Sequence, residues 1–197
     1  MAKQGQTTHQ GLEGLTAAVR NAANAGPAKG LPPVHLWNPP FCGDLDMRIA
    51  SDGTWFYMGT PIGRPALVRL FSTILKREDG KHFLVTPVEK VGIRVDDAPF
   101  LAVEMLKETD DRGRLLRFRT NVDDWVPCDS GHRLRFEAAA DGGLTPYLHV
   151  RADLWARSRG RFIMIWLTWA RSEWSMVVQC SGSRRPANSL RWRMRSR

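Results

Sequence analysis

This chain of 197 residues is poor in cysteine, in tyrosine and in long apolar runs. Each scarcity excludes something. Three cysteines, Cys42, Cys128 and Cys180, are an odd number without paired spacing, which argues against a disulfide framework and for a reducing compartment. The five histidines, His9, His35, His82, His132 and His149, are scattered. Only His132 stands within four residues of a cysteine or another histidine, Cys128, and one such pair falls short of the three or four ligands of a zinc site. The longest apolar run, Phe162 to Leu167, is far below the roughly 20 residues that span a bilayer. Residues 1–10 are polar and lack the apolar core of an export signal. No G-x-S-x-G elbow, phosphate-cradling glycine loop or Walker motif occurs. In Gly59-Thr60-Pro61-Ile62-Gly63 the proline removes a cradle N–H. The expectation is a cytoplasmic protein with no cofactor and no metal.

The net charge of +9 is concentrated at one end. Residues 157–197 hold ten arginines and the single acid Glu173, which leaves the preceding body neutral. The same segment has no Lys, Asp, Tyr or His and carries four of the eight tryptophans, Trp166, Trp169, Trp174 and Trp192. Arginine with tryptophan suits phosphates and bases, or a membrane surface. The abrupt change of composition also suits a shifted reading frame. With one choice of codons, the out-of-frame reading of Phe162 to Trp169 is Val-Tyr-Tyr-Asp-Leu-Val-Asp-Leu, which alternates like a strand.

In the body, Leu12, Leu15 and Val19 recur at helical spacing, and Gly26-Pro27 ends that helix. Ala25 to Pro33 reads as a linker, and Trp37 to Gly43 as irregular because of Pro39 and Pro40. Asp44, Asp46 and Arg48 alternate with Leu45, Met47 and Ile49 in a strand. Asp52-Gly53 turns it back into Trp55 and Tyr57. Pro65 opens a helix expected over residues 65–76, with Leu67, Leu70, Phe71, Ile74 and Leu75 on one face. Strands follow around Phe83 and Val85, Val91 and Ile93, Phe100 to Leu106, Leu115 to Thr120, Leu134 and Phe136, and Tyr147 to Val150. Their turns are Asp79-Gly80, Asp110 to Gly113 and Asp141-Gly142-Gly143. This order indicates α+β rather than a parallel α/β sheet.

Several segments resemble the domain-of-unknown-function 1285 family of bacterial proteins, common in alphaproteobacteria. They are Trp37-Asn38-Pro39-Pro40-Phe41-Cys42-Gly43-Asp44-Leu45-Asp46-Met47-Arg48-Ile49, Gly53 to Ile62, Phe83 to Phe100, Phe118 to Val122 and Pro146 to Val150. The resemblance spans roughly residues 30–156. It implies two small domains: an α+β one with hairpins and one helix, then a β-rich roll or barrel, with no known reaction. Members of this kind continue with a strand resembling Tyr-Tyr-Asp-Leu-Val near Ile163 to Leu167, from which this chain departs. The expected organisation is an N-terminal helix and linker (1–30), an α+β domain (31–97), a truncated β-rich domain (98–156) and an out-of-frame tail (157–197).

Asp44 and Asp46 lie two apart on one strand face, suited to metal or acid–base work, or to a solvated face with an ion pair to Arg48. Glu89 and Arg94 are candidates to line a polar pocket with Arg64 or Arg69, or to belong to a surface charge network. Cys42 reads as a reactive thiol or a small buried hydrophobe. The body thus points to a non-enzymatic module for a small ligand or protein partner, held at the domain junction by Asp44, Asp46, Arg64, Glu89 and Arg94. The alternative is an enzyme using Asp44, Asp46 and Glu89. A second alternative is nucleic-acid or membrane-surface binding through the basic tail, without insertion into the membrane. For the frame itself, sequencing the coding DNA around codons 155–160 is expected to reveal a frame change. An intact frame there that continues through the tail would refute it.

Overall fold

The computed structural model describes residues 12–24, 30–110, 113–139 and 143–158. Helix α1 (Leu12–Asn24) comes first, then a short 3-10 turn (Val34–Leu36). The first sheet is built from β1 (Phe41–Ile49), β2 (Trp55–Tyr57), β3 (Thr60–Pro61), β4 (Leu75–Glu78), β5 (Lys81–Val85) and β6 (Lys90–Val95). Helix α2 (Pro65–Thr73) stands between β3 and β4. The second sheet holds β7 (Phe100–Asp110), β8 (Gly113–Thr120), β9 (Trp125–Pro127), β10 (Leu134–Ala138), β11 (Leu144–Arg151) and β12 (Leu154–Ser158). The described structure is therefore β-rich, with its helices confined to residues before β4.

The two sheets repeat one topology. The first runs β3-β2-β1-β6-β5-β4 and the second β9-β8-β7-β12-β11-β10. In each, the first and last strands lie side by side in parallel at the centre, β1 with β6 and β7 with β12. All other pairings are antiparallel. Reading the chain turn by turn gives the hairpins but neither of the central pairs. They join strands far apart in sequence, which no local turn announces. The second sheet ends on β10 and β9, so among the described residues it is open rather than a closed barrel.

Local chemistry accounts for most elements. On β1, Met47 and Ile49 are buried while Asp44 and Asp46 are exposed, as alternation requires. The following turn is closed by the Thr54 N–H donating to Asp52 Oδ1 at 2.9 Å. Gly53 sits there at φ +83°, a conformation that favours glycine. Pro65 occupies the first turn of α2. The helix expected to reach residue 76 ends at Thr73. Leu75 instead opens β4 and pairs with Leu84, while the Val85 N–H donates to the Ile74 carbonyl. Leu75 is buried either way, so its spacing fits both states, and pairing with β5 decides.

One connected core runs through both sheets, from Val19 of α1 through Trp55, Phe71 and Phe100 to Leu154 and Ala156. Polar bonds lock the junction. Arg151 Nη2 donates to the Ser72 carbonyl at 2.6 Å, and its Nη1 bonds Asp124 at 3.2 Å. Its guanidinium lies 5.0 Å from the Phe100 ring centroid. Arg69 Nε donates to the Val122 carbonyl at 2.9 Å, and Arg77 pairs with Asp153 at 2.8 Å. Asn121 Oδ1 accepts from the Leu101 N–H at 2.9 Å, and its Nδ2 donates to the Gly53 carbonyl at 3.4 Å.

Arg157 and Ser158 belong to this core architecture, although the sequence boundary assigns them to the tail. They pair with Leu101 and Ala102, and Ser158 is buried. Arg157 also reaches Asp97 at 3.2 Å. The remainder of the tail, 159–197, lies outside the described residues.

Two substitutions test the junction by denaturant unfolding. Arg151→Met keeps the apolar contact but strands Asp124 and the Ser72 carbonyl, and is expected to cost about 2–3 kcal/mol. A Cβ on Gly53 would stand 2.8 Å from Asn121 Nδ2 and 2.9 Å from Leu101 Cδ1. Gly53→Ala is expected to cost about 1–3 kcal/mol. Losses below about 0.5 kcal/mol in both would show that the junction is not locked this way.

Candidate functional site

Alternation places Met47, Ile49, Trp55 and Tyr57 on one face of the first sheet, through the pairs Met47–Tyr57 and Ile49–Trp55. Helices cover that face. Phe71 of α2 stacks on Trp55 with ring centroids 6.4 Å apart. Helix α1 packs beside α2, with Val19 fully buried. Beside that contact, α1, α2 and the β2–β3 hairpin enclose a cleft of about 860 Å³.

Three elements supply its walls. Glu13, Ala17 and Arg20 come from α1, three to four residues apart and hence on one helix face. Tyr57, Ile62 and Arg64 come from the hairpin and the segment after it. Leu67 and Leu70 come from α2, with Ala66 at the exposed lip. Arg64 is also the residue preceding α2, and its carbonyl accepts from the N–H groups of Leu67 and Val68. Its backbone thus starts the helix while its side chain lines the cleft. The volume falls within the roughly 300–1,000 Å³ usual for small-molecule sites.

The residues singled out from sequence do not converge. Arg64 lines the cleft. Asp44, Asp46 and Arg94 lie on the opposite face of the sheet, as the pairs Asp44–Gly92 and Arg48–Arg94 show. The Asp44 carboxylate sits over Gly92, where a Cβ would come within 2.0 Å of Oδ1. Asp46 is exposed, and its carbonyl accepts from the Met58 N–H. Arg94 bonds Asp96 at 3.2 Å, as does Arg48 at 3.1 Å. The Arg48 partner is therefore Asp96 rather than an acid of its own strand. Glu89 ends a tight turn in which its N–H donates to Thr86 Oγ1 at 3.1 Å. Arg69 is committed to Asp123 at 2.9 Å. Cys42 is half-buried, with its thiol directed at the Pro40 carbonyl. His149 is structural, its Nδ1 facing the Gly131 carbonyl at 2.9 Å and its Nε2 the Ala152 carbonyl.

Sequence reasoning misses Arg20, Glu13 and the place of Tyr57 in the cleft lining. The signal for the first two was the polar face of α1, opposite the stripe that buries Val19.

Sequence comparison adds to this picture. Residues 32–98 match the N-terminal domain, and residues 99–183 the C-terminal domain, of DUF1285, a family of unknown function. The chain belongs to the DUF1285 family. The C-terminal match continues past Ala156 into the basic segment. A DUF1285 family protein from Silicibacter pomeroyi is 53% identical, with a TM-score of 0.67 over 76% of this chain and 82% of that one. A second, from Shewanella baltica, is 27% identical, with a TM-score of 0.51 over 63% of this chain and 91% of that one. No curated protein matches. No helix among the described residues is long and apolar enough to cross a membrane.

Two titratable groups outside the cleft are strongly perturbed. Burial raises the Tyr147 hydroxyl to about 12, aided by its 2.8 Å hydrogen bond to Asp97. Burial lowers His82 to about 4, and the nearby Arg77 cation adds to the effect. Between pH 6.5 and 4 the unfolded chain therefore protonates His82 while the folded protein does not. Folding stability is expected to fall as pH drops through that window and to level off below it with respect to this group. His82→Gln is expected to flatten the decline by about 1–2 kcal/mol, a value reduced for residual solvent screening. Equal pH slopes for the two proteins in thermal unfolding would contradict a neutral, desolvated His82.

Proposed function

We propose that this DUF1285 protein is a non-enzymatic small-ligand-binding module whose ligand sits between α1, α2 and the β2–β3 hairpin. The observation carrying this reading is the cleft itself, about 860 Å³ with an apolar wall of Ile62, Leu67 and Leu70 and guanidinium groups from Arg20 and Arg64. A few convergent polar groups on an apolar wall are the usual make-up of a small-molecule site. Asp44, Asp46 and Glu89, the set an enzyme would need, lie outside this lining. The junction between the two sheets, where the sequence reading set a ligand, carries bonds of Arg69, Arg77, Asn121 and Arg151.

A thermal-shift screen of metabolites against the full chain and Ala66→Trp tests the reading. The indole would project from an exposed position into the cleft at little cost to the fold. A true ligand at 100 times its Kd is expected to stabilise the parent by about 2.7 kcal/mol and the variant far less. Equal stabilisation of both would place binding elsewhere.

A further inference from the structure

We propose that the ligand is an amphipathic organic anion, a carboxylate or phosphate on an apolar body. This rests on the reading of the cleft as a ligand site. Charge pairing supports it. Within residues 31–97, Arg48, Arg69, Arg77 and Arg94 each close on a carboxylate at 3.2 Å or less. Arg64 is the one described arginine of that stretch that does not, and Arg20 on α1 has no carboxylate partner among the described residues either. Both line the same cleft. The lining therefore holds two arginines against one carboxylate, Glu13, and carries a net positive charge. Guanidinium presents a planar fork of donors that matches carboxylate and phosphate oxygens. The Tyr57 hydroxyl, at the same wall, is a further donor.

The apolar part of the ligand follows from the rest of the lining. Ile62, Leu67 and Leu70 offer no hydrogen bonds and favour a hydrocarbon or aromatic surface. A free inorganic anion would leave that wall in contact with water. A neutral hydrocarbon would leave two guanidinium groups without a counter-charge. An anion carrying an apolar body meets both conditions.

The test uses two dyes that share an apolar ring system and differ in charge: 1-anilinonaphthalene-8-sulfonate, an anion, and N-phenyl-1-naphthylamine, which is neutral. Fluorescence titration of the full chain compares the parent, Arg20→Gln/Arg64→Gln, Arg20→Lys/Arg64→Lys and Ala66→Trp. Both arginines are exposed, and circular dichroism verifies that each variant keeps its sheets. The glutamine pair is expected to weaken the sulfonate dye at least tenfold, since it removes both cationic donors from the lining. It is expected to change the neutral dye less than twofold, and the lysine pair to recover part of the sulfonate affinity. Ala66→Trp is expected to weaken both dyes. Equal losses for the two dyes in the glutamine pair, or none, would overturn the anion assignment while leaving the cleft as the site. Indifference of both dyes to Ala66→Trp would remove the cleft reading and the assignment with it.

Discussion

Two consecutive carboxylates, Asp96 and Asp97, hold the molecule together at the point where one sheet gives way to the next. Asp96 bonds Arg48 and Arg94 of the first sheet, and its N–H donates to the Ile49 carbonyl. Asp97 accepts from the Tyr147 hydroxyl and pairs with Arg157, both of the second sheet. The strands on either side, β6 and β7, are the central strands of their sheets. A short connection between two central strands leaves little freedom in how the sheets meet. Each of these ion pairs is partly exposed and contributes only about 0–1 kcal/mol. Their importance is directional, because neighbouring residues of one segment are each committed to a different sheet. Arg151, packed on Phe100 and bonded to Ser72 and Asp124, secures the same junction from the far side.

Because both sheets share one strand order, the places where they differ are informative. Between β3 and β4 the chain inserts α2. Between β9 and β10 it makes only a tight loop, in which Asp129 Oδ1 accepts from the N–H groups of Gly131 and His132 at 2.9 and 2.8 Å. Helix α1 then adds a second wall beside α2 in the first unit. The cleft therefore arises where the repeat is broken. The two units thus share a scaffold but differ in shape, and the α1–α2 pair gives the first unit its cleft.

Much of the architecture was legible because it depends on near neighbours. The Asp52-Gly53 and Asp79-Gly80 turns, the alternation of β1 and the helical spacing of α1 follow from residues within a few positions of one another. The end of α2 was not legible, since Ile74 and Leu75 fit a helix face as well as the start of a strand. The strand β12 was hidden for a related reason: its partner β7 lies more than fifty residues earlier, and the sequence boundary at Ala156 cut through it. Of the residues that line the cleft, Arg64 was recognisable as an unplaced cation. Arg20 was not, because nothing in its spacing reveals that α1 folds back against α2.

From the sequence alone come the β-rich character of the chain, the positions of the turns, the neutrality of the body against the basic end, and the family likeness. These depend on local conformational preference and on composition, which are properties of short stretches of chain. The tertiary structure alone decided the parallel pairing at the centre of each sheet, the commitment of Asp96 and Asp97 to opposite sheets, and the placing of Arg20 and Arg64 around one cleft. Those are contacts between residues distant in sequence, and their free energy exists only once the chain has closed the loops between them.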